Sequence, residues 1–244
     1  MFLEVDRLSF SIDGKTILSD ISFSVERGTT TLIAGMNGSG KSILLKCLKG
    51  LEQPQQGAVR LGGRTLAKRK ERMKAFALVF QDTALEIVGS TVERDIAFGP
   101  ENLGWDRERT GKKVDAMLSL FSLEGLRTVR PAVLSGGEAR KLSIAGVLAM
   151  EPEALLLDEP FANLDYPSTI TVIETLEELH RAGVTILIVS HEAEKFLRHT
   201  DNTLILERGK IAFSGKSRDA LIALREHNIY VPKGAAFEEM SWLA

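Results

Sequence analysis

The run Gly35-Met36-Asn37-Gly38-Ser39-Gly40-Lys41-Ser42 has the spacing G-x-x-x-x-G-K-S of a phosphate-binding loop. It follows an apolar, β-branched stretch, Thr30 to Ala34, and precedes a helical pattern, Ile43 to Leu48. The chemistry asks for these residue types. Glycines let backbone N–H groups close around phosphate oxygens without Cβ clashes. The following helix offers its N-terminal amides and positive dipole end to the same anion. Lys41 adds a mobile point charge for the β- and γ-phosphates, and Ser42 a small oxygen ligand for Mg²⁺.

Two further constellations extend this chemistry. Leu155-Leu156-Leu157 is an apolar strand that ends in Asp158 and Glu159. The first carboxylate can hold Mg²⁺ directly or through water. The second can orient or deprotonate an attacking water. An acidic turn after a strand is common alone; beside a phosphate loop it reads as the hydrolytic pair. In Leu134-Ser135-Gly136-Gly137-Glu138, Ser135 and Glu138 form an S-x-x-E capping box for the next helix. Serine, two glycines and a helix N-terminus also make a second anion site. One protein needs two such sites if a nucleotide is sandwiched between subunits.

The elements that must carry these residues follow from pattern. Alternation predicts strands over 2–5, 8–12 and 17–25, with a hairpin turn at Asp13-Gly14, and another hairpin after 58–61 at Gly62-Gly63. Phe76 to Phe80 reads as a buried strand, and Lys68 to Arg72 as a solvated helix face. From Thr91 to about Met150 the pattern is helical, clearest over 106–121 and 138–150. The α/β pattern returns with strands 154–157 and 184–189 around a helix from Pro167 to Arg181. Helices near 192–197 and over 217–225 and a hairpin at Arg208-Gly209 complete it, before a short tail.

The 244 residues could form one large α/β domain or a domain carrying a subdomain, long enough for a sizeable core, and 44% apolar and 26% charged side chains are ordinary for a soluble globular protein. A net charge of −2 gives no bulk drive toward nucleic acid or an anionic membrane surface, so no nucleic-acid partner is expected. The single cysteine, Cys47, reads as a small core residue. No apolar run reaches the ~20 residues of a membrane span, so a membrane role must come through a partner.

From about residue 2 to 225 the chain resembles the ATPase subunits of ABC transporters, with the family's motifs in order. Walker A is 35–42, and Gln81 stands at the Q-loop position. The signature is 134–138 and Walker B is 155–159. Ala162-Asn163-Leu164-Asp165 resembles the D-loop, and His191 the switch histidine. The resemblance implies an α/β fold: a P-loop NTPase core with an N-terminal antiparallel β layer and a helical subdomain carrying the signature. The implied division is a core of 1–90 and 151–225, a helical subdomain of 91–150 and a tail of 226–244. It implies a head-to-tail dimer with a second ATPase subunit, identical or related. ATP with Mg²⁺ would lie on Gly35 to Ser42 and Ile43 of one subunit, under Ser135-Gly136-Gly137 of the other. Lys41, Glu159 as general base and His191 would be catalytic. Ser42, Gln81 and Asp158 would hold the metal. Gln81 would also link the site to the helical part, and Asp165 would contact the partner. An integral membrane component would dock on the surface 81–104, leaving the chain peripheral on the cytoplasmic face of the membrane.

The segments 87–92, 97–104 and 143–150 are similar to the ATPases of energy-coupling factor importers, which take up vitamins and transition-metal ions. Another ABC transporter type, or a soluble ABC ATPase, is the alternative. The chain departs from the family at Ile12, where an adenine-stacking aromatic is usual, and at Ile43, where threonine is usual. The run 82–86 also lacks the Asn-Pro-Asp-x-Gln sequence typical of the importer group.

Overall fold

The computed structural model describes residues 1–83 and 86–243. Ala84 and Leu85, inside the expected docking surface, and Ala244, in the tail, lie outside the described residues. The chain divides into two compact units. The first comprises 1–78, 153–159 and 177–244, and the second 79–152 and 160–176.

In the first unit β1 (Leu3–Ile12) and β2 (Lys15–Val25) pair antiparallel around the turn at Asp13-Gly14, both with positive φ. With β4 (Gln56–Leu61) and β5 (Arg64–Thr65) they form a four-stranded sheet in the order β2-β1-β4-β5. The second sheet has the order β10-β9-β3-β8-β7-β6. Its members are β3 (Thr30–Ala34), β6 (Phe76–Val79), β7 (Ala154–Asp158), β8 (Ile186–Ser190), β9 (Asn202–Glu207) and β10 (Lys210–Lys216). β3, β7 and β8 are buried along their whole lengths, as parallel strands covered on both faces must be. Their register matters most. Ala34 pairs Ser190, and Asp158 pairs Val189, so the carboxyl ends of three neighbouring strands finish level. That edge is where open α/β sheets place their ligands. α1 (Lys41–Lys49) and α2 (Arg69–Ala75) complete this part of the chain. Cys47 is fully buried on α1, and burial pushes its thiol up to about 12.

The second unit holds α3 (Val92–Asn102), α4 (Arg107–Leu120), α5 (Gly136–Leu148) and the first part of α6 (Tyr166–Arg181). Thr91 caps α3 and Asp106 caps α4, each accepting from the backbone N–H three residues on. Val92, Ile96, Leu118 and Leu142 are fully buried along these helices.

The segment after β8 differs from its sequence expectation. Instead of one helix near 192–197 it forms two 3₁₀ turns, Ala193–Lys195 and Leu197–His199. The cause is competition for backbone groups. The Lys195 carbonyl accepts from Trp242 N–H at 3.1 Å, and Arg198 N–H donates to Met240 O at 3.0 Å. A helical ladder cannot use groups already bonded to a distant strand of chain. The helix expected over 217–225 likewise splits into a 3₁₀ turn, Ser217–Asp219, and α7 (Leu221–Glu226).

Candidate active site

The phosphate loop is built where the sequence places it, between β3 and α1. Two of its glycines are sterically required. A Cβ at Gly35 would lie 2.4 Å from Leu206 O. Gly40 has φ +106° and caps α1, and a Cβ there would lie 2.8 Å from Leu18 Cδ2. Gly209 N–H donates to Ser39 O, and its own carbonyl accepts from Ser19 N–H. The β9–β10 turn therefore clamps the loop to β2. Met36, Asn37 and Gly38 stand exposed at the crown, while Ser39 Oγ is buried with no hydrogen-bond partner among the described residues.

Lys41 is 5% exposed. Its Nζ donates to Gly35 O at 2.7 Å and Met36 O at 3.2 Å, and lies 3.8 Å from Glu159 Oε1. Burial lowers its pKa, an effect opposed by Glu159 and Asp158. Ser42 Oγ donates to Asp158 Oδ1 at 2.9 Å. Asp158 closes β7, and burial pushes its carboxyl up, against the lowering effect of the Ser42 hydrogen bond. Glu159 follows with φ +48°, a left-handed conformation costly for a side chain with a Cβ. Its N–H is held by Val189 O at 2.9 Å. Both its oxygens meet His191: Oε1 lies 2.9 Å from Nδ1, and Oε2 accepts the backbone N–H at 3.3 Å. The first unit thus brings Lys41, Ser42, Asp158, Glu159 and His191 together.

In the second unit Ser135 is exposed and caps α5. Its Oγ accepts from Glu138 N–H at 3.3 Å, while Glu138 Oε2 accepts the Ser135 N–H at 2.8 Å. The capping box read from the sequence therefore forms. Gly136 is exposed and abuts Leu164, and Gly137 abuts Ser168, so signature and D-loop adjoin. Asp165 is exposed; hydrogen bonds from the Ser168 hydroxyl first and then from its N–H, at 3.0 Å, lower its pKa. The Gln81 side chain is exposed, and its carbonyl is fixed by Arg140 Nη2 at 2.7 Å. Arg140, 2% exposed, also holds Phe80 O at 2.6 Å. Sequence reasoning missed this arginine; its signal is a lone charge on the buried face of α5.

The same unit carries an apolar groove of about 200 Å³ lined by Glu86, Asp95, Phe98, Gly99, Ser143 and Met150. Phe98 is half exposed. Asp95 Oδ1 accepts from Val88 and Gly89 N–H, and Glu86 binds Phe80 N–H and Ser143 Oγ. Burial raises the pKa of both acids.

The ABC transporter family profile matches residues 18–162. An energy-coupling factor transporter ATP-binding protein, EcfA, of Methanococcus maripaludis is 35% identical over 246 residues, covering 98% of this chain and 88% of the relative. EcfA2 of Methanospirillum hungatei is 38% identical over 208 residues, 83% of this chain, which spans about half (52%) of that longer relative. CbiO1 of Clostridium perfringens, part of the ABC transporter complex CbiONQ, superposes with a TM-score of 0.84 at 30% identity, covering 95% of this chain and 96% of that one. The chain belongs to the ABC transporter family and is an ATP-binding, ATP-hydrolysing subunit of that type.

Proposed function

We propose that the chain is the ATPase of an energy-coupling factor importer that takes up a vitamin or a transition-metal ion. The observation that carries the chemistry is the meeting of Lys41, Ser42, Asp158, Glu159 and His191 at the level ends of β3, β7 and β8. The names of the relatives, EcfA and CbiO1, supply the transport system.

Residues 35–43 cradle the phosphates of ATP. The Lys41 ammonium moves from the Gly35 and Met36 carbonyls to β- and γ-phosphate oxygens, which are stronger acceptors for a buried cation. The hard oxygens of Ser42 and Asp158 fit Mg²⁺, and a buried carboxyl pushed toward protonation gains most from a cation beside it. When bound, Mg²⁺ neutralises charge on the transferring phosphoryl group. Glu159 accepts the proton of the attacking water. His191 fixes the Glu159 carboxylate through Nδ1 and keeps Nε2 for the water or, when protonated, the γ-phosphate.

A second ATPase subunit, identical or related, closes its Ser135-Gly136-Gly137 over the nucleotide, with Asp165 across the interface. An integral membrane component seats a helix in the groove beside Phe98, within the surface 81–104, and places the chain peripherally at the membrane. Among the described residues no helix is long and apolar enough to cross a membrane.

The test is capture of the tagged chain from detergent-solubilised native membranes. Co-purification of a small polytopic membrane protein supports the reading. Recovery only with ribosomal or DNA-bound proteins overturns the transport role and leaves the ATPase chemistry standing.

A further inference from the structure

The last residues of the described chain return to the segment that follows His191. Met240 is fully buried. Its carbonyl accepts from Arg198 N–H at 3.0 Å, and Glu238 O accepts from Arg198 Nη1 at 3.2 Å. Trp242 N–H donates to Lys195 O, and the Lys195 ammonium lies 4.5 Å from the centre of the Trp242 ring. The same ammonium reaches Glu192 Oε1 at 2.5 Å, one residue from His191. Lys195 is 5% exposed, so both contacts act with little competition from water. Ser241 Oγ meets His199 Nε2 at 2.5 Å, while His199 Nδ1 is bonded to Glu177. The two 3₁₀ turns are closed only by short-range bonds, such as Lys195 N–H to Glu192 O and His199 N–H to Phe196 O, whose geometry is poorer than a helix ladder's, so what they pack on also sets their path.

We infer that residues 238–242, through Trp242 on Lys195 and Met240 on Arg198, hold the 192–199 segment so that His191 stays on Glu159. The inference rests on the role proposed for His191. Trp242 is then a positioning residue that never touches ATP. Its loss lowers turnover and leaves nucleotide binding at the loop untouched.

Three variants of the full chain test this: Trp242→Ala, Trp242→Phe and His191→Ala. Trp242→Ala lowers kcat about three- to thirtyfold, the range spanned by a cation–π contact between partly exposed and desolvated. KM for ATP stays within about twofold of wild type. Trp242→Phe, which keeps a ring under Lys195, restores most of kcat. The chain has four histidines, so the His191 imidazole resonance can be assigned by its disappearance in His191→Ala. That resonance shifts in Trp242→Ala and returns in Trp242→Phe. Should Trp242→Ala melt outright, Ser241→Ala removes a hydroxyl that bonds His199 and the Leu243 backbone, leaves the Trp242 ring in place, and shows the same split in smaller measure. An unmoved His191 resonance, or kcat and KM changing together, overturns the inference while His191→Ala keeps its loss of turnover. Full hydrolysis by His191→Ala overturns the role of His191 itself, and the inference with it.

Discussion

His191 engages both oxygens of Glu159, one through its ring and one through its backbone N–H. The backbone bond persists in any side-chain variant, and only the ring contact is lost. His191→Ala therefore leaves the carboxylate tethered but free to rotate. Turnover falls about a hundredfold, the usual cost of a misplaced catalytic group. ATP affinity, set by the loop, is little changed. Phosphate release beside a nucleotide titration checks both halves.

Lys41→Ala removes the cation from the phosphate cradle. A charge-assisted hydrogen bond contributes about 1.5–3 kcal/mol, so ATP binding weakens about ten- to hundredfold. Unchanged affinity in a titration would show that the phosphates bind elsewhere. Lys41 also faces Glu159 at 3.8 Å, so this variant loses turnover as well.

Asp158 gives a pH signature. Burial raises its folded-state pKa above the unfolded value. Protonation therefore stabilises the nucleotide-free fold below the unfolded pKa, and that stabilisation is lost as pH climbs through the folded pKa. Asp158→Asn keeps an acceptor for Ser42 and carries no charge. Its Tm relative to wild type rises as pH climbs from the ordinary aspartate range, about 4, up through the raised folded-state pKa, in the absence of Mg²⁺ and nucleotide. A difference that is flat with pH would contradict the assignment.

Gly40→Ala forces a Cβ into a left-handed position and against Leu18. The strain costs about 1–3 kcal/mol, several degrees of Tm for a chain of this size. ATP binding weakens with it, because the first turn of α1 must shift. The melt and a nucleotide titration should move together.

Much of this was legible in the sequence because it is written in local spacing. The phosphate loop, the continuous apolar strands before Ser190 and Glu159, and the S-x-x-E cap each need only neighbours in the chain. What escaped depends on distant partners. The split of 192–199 into two turns follows from Trp242 and Met240, more than 40 residues on, which no helical periodicity encodes. The Arg140 grip on Phe80 and Gln81 spans some 60 residues. The left-handed Glu159 is likewise invisible in a residue type that ordinarily avoids that conformation.

The central claim is that Glu159 takes the proton of the attacking water. The direct measurement is phosphate release at saturating ATP by the complex captured through the tagged chain, wild type against Glu159→Gln. Glutamine keeps the size and the Oε1 acceptor and loses the base. The account predicts that cleavage at this site falls by about two to four orders of magnitude, with uncleaved ATP retained and the dimer held closed. Steady hydrolysis at that site in Glu159→Gln would contradict it.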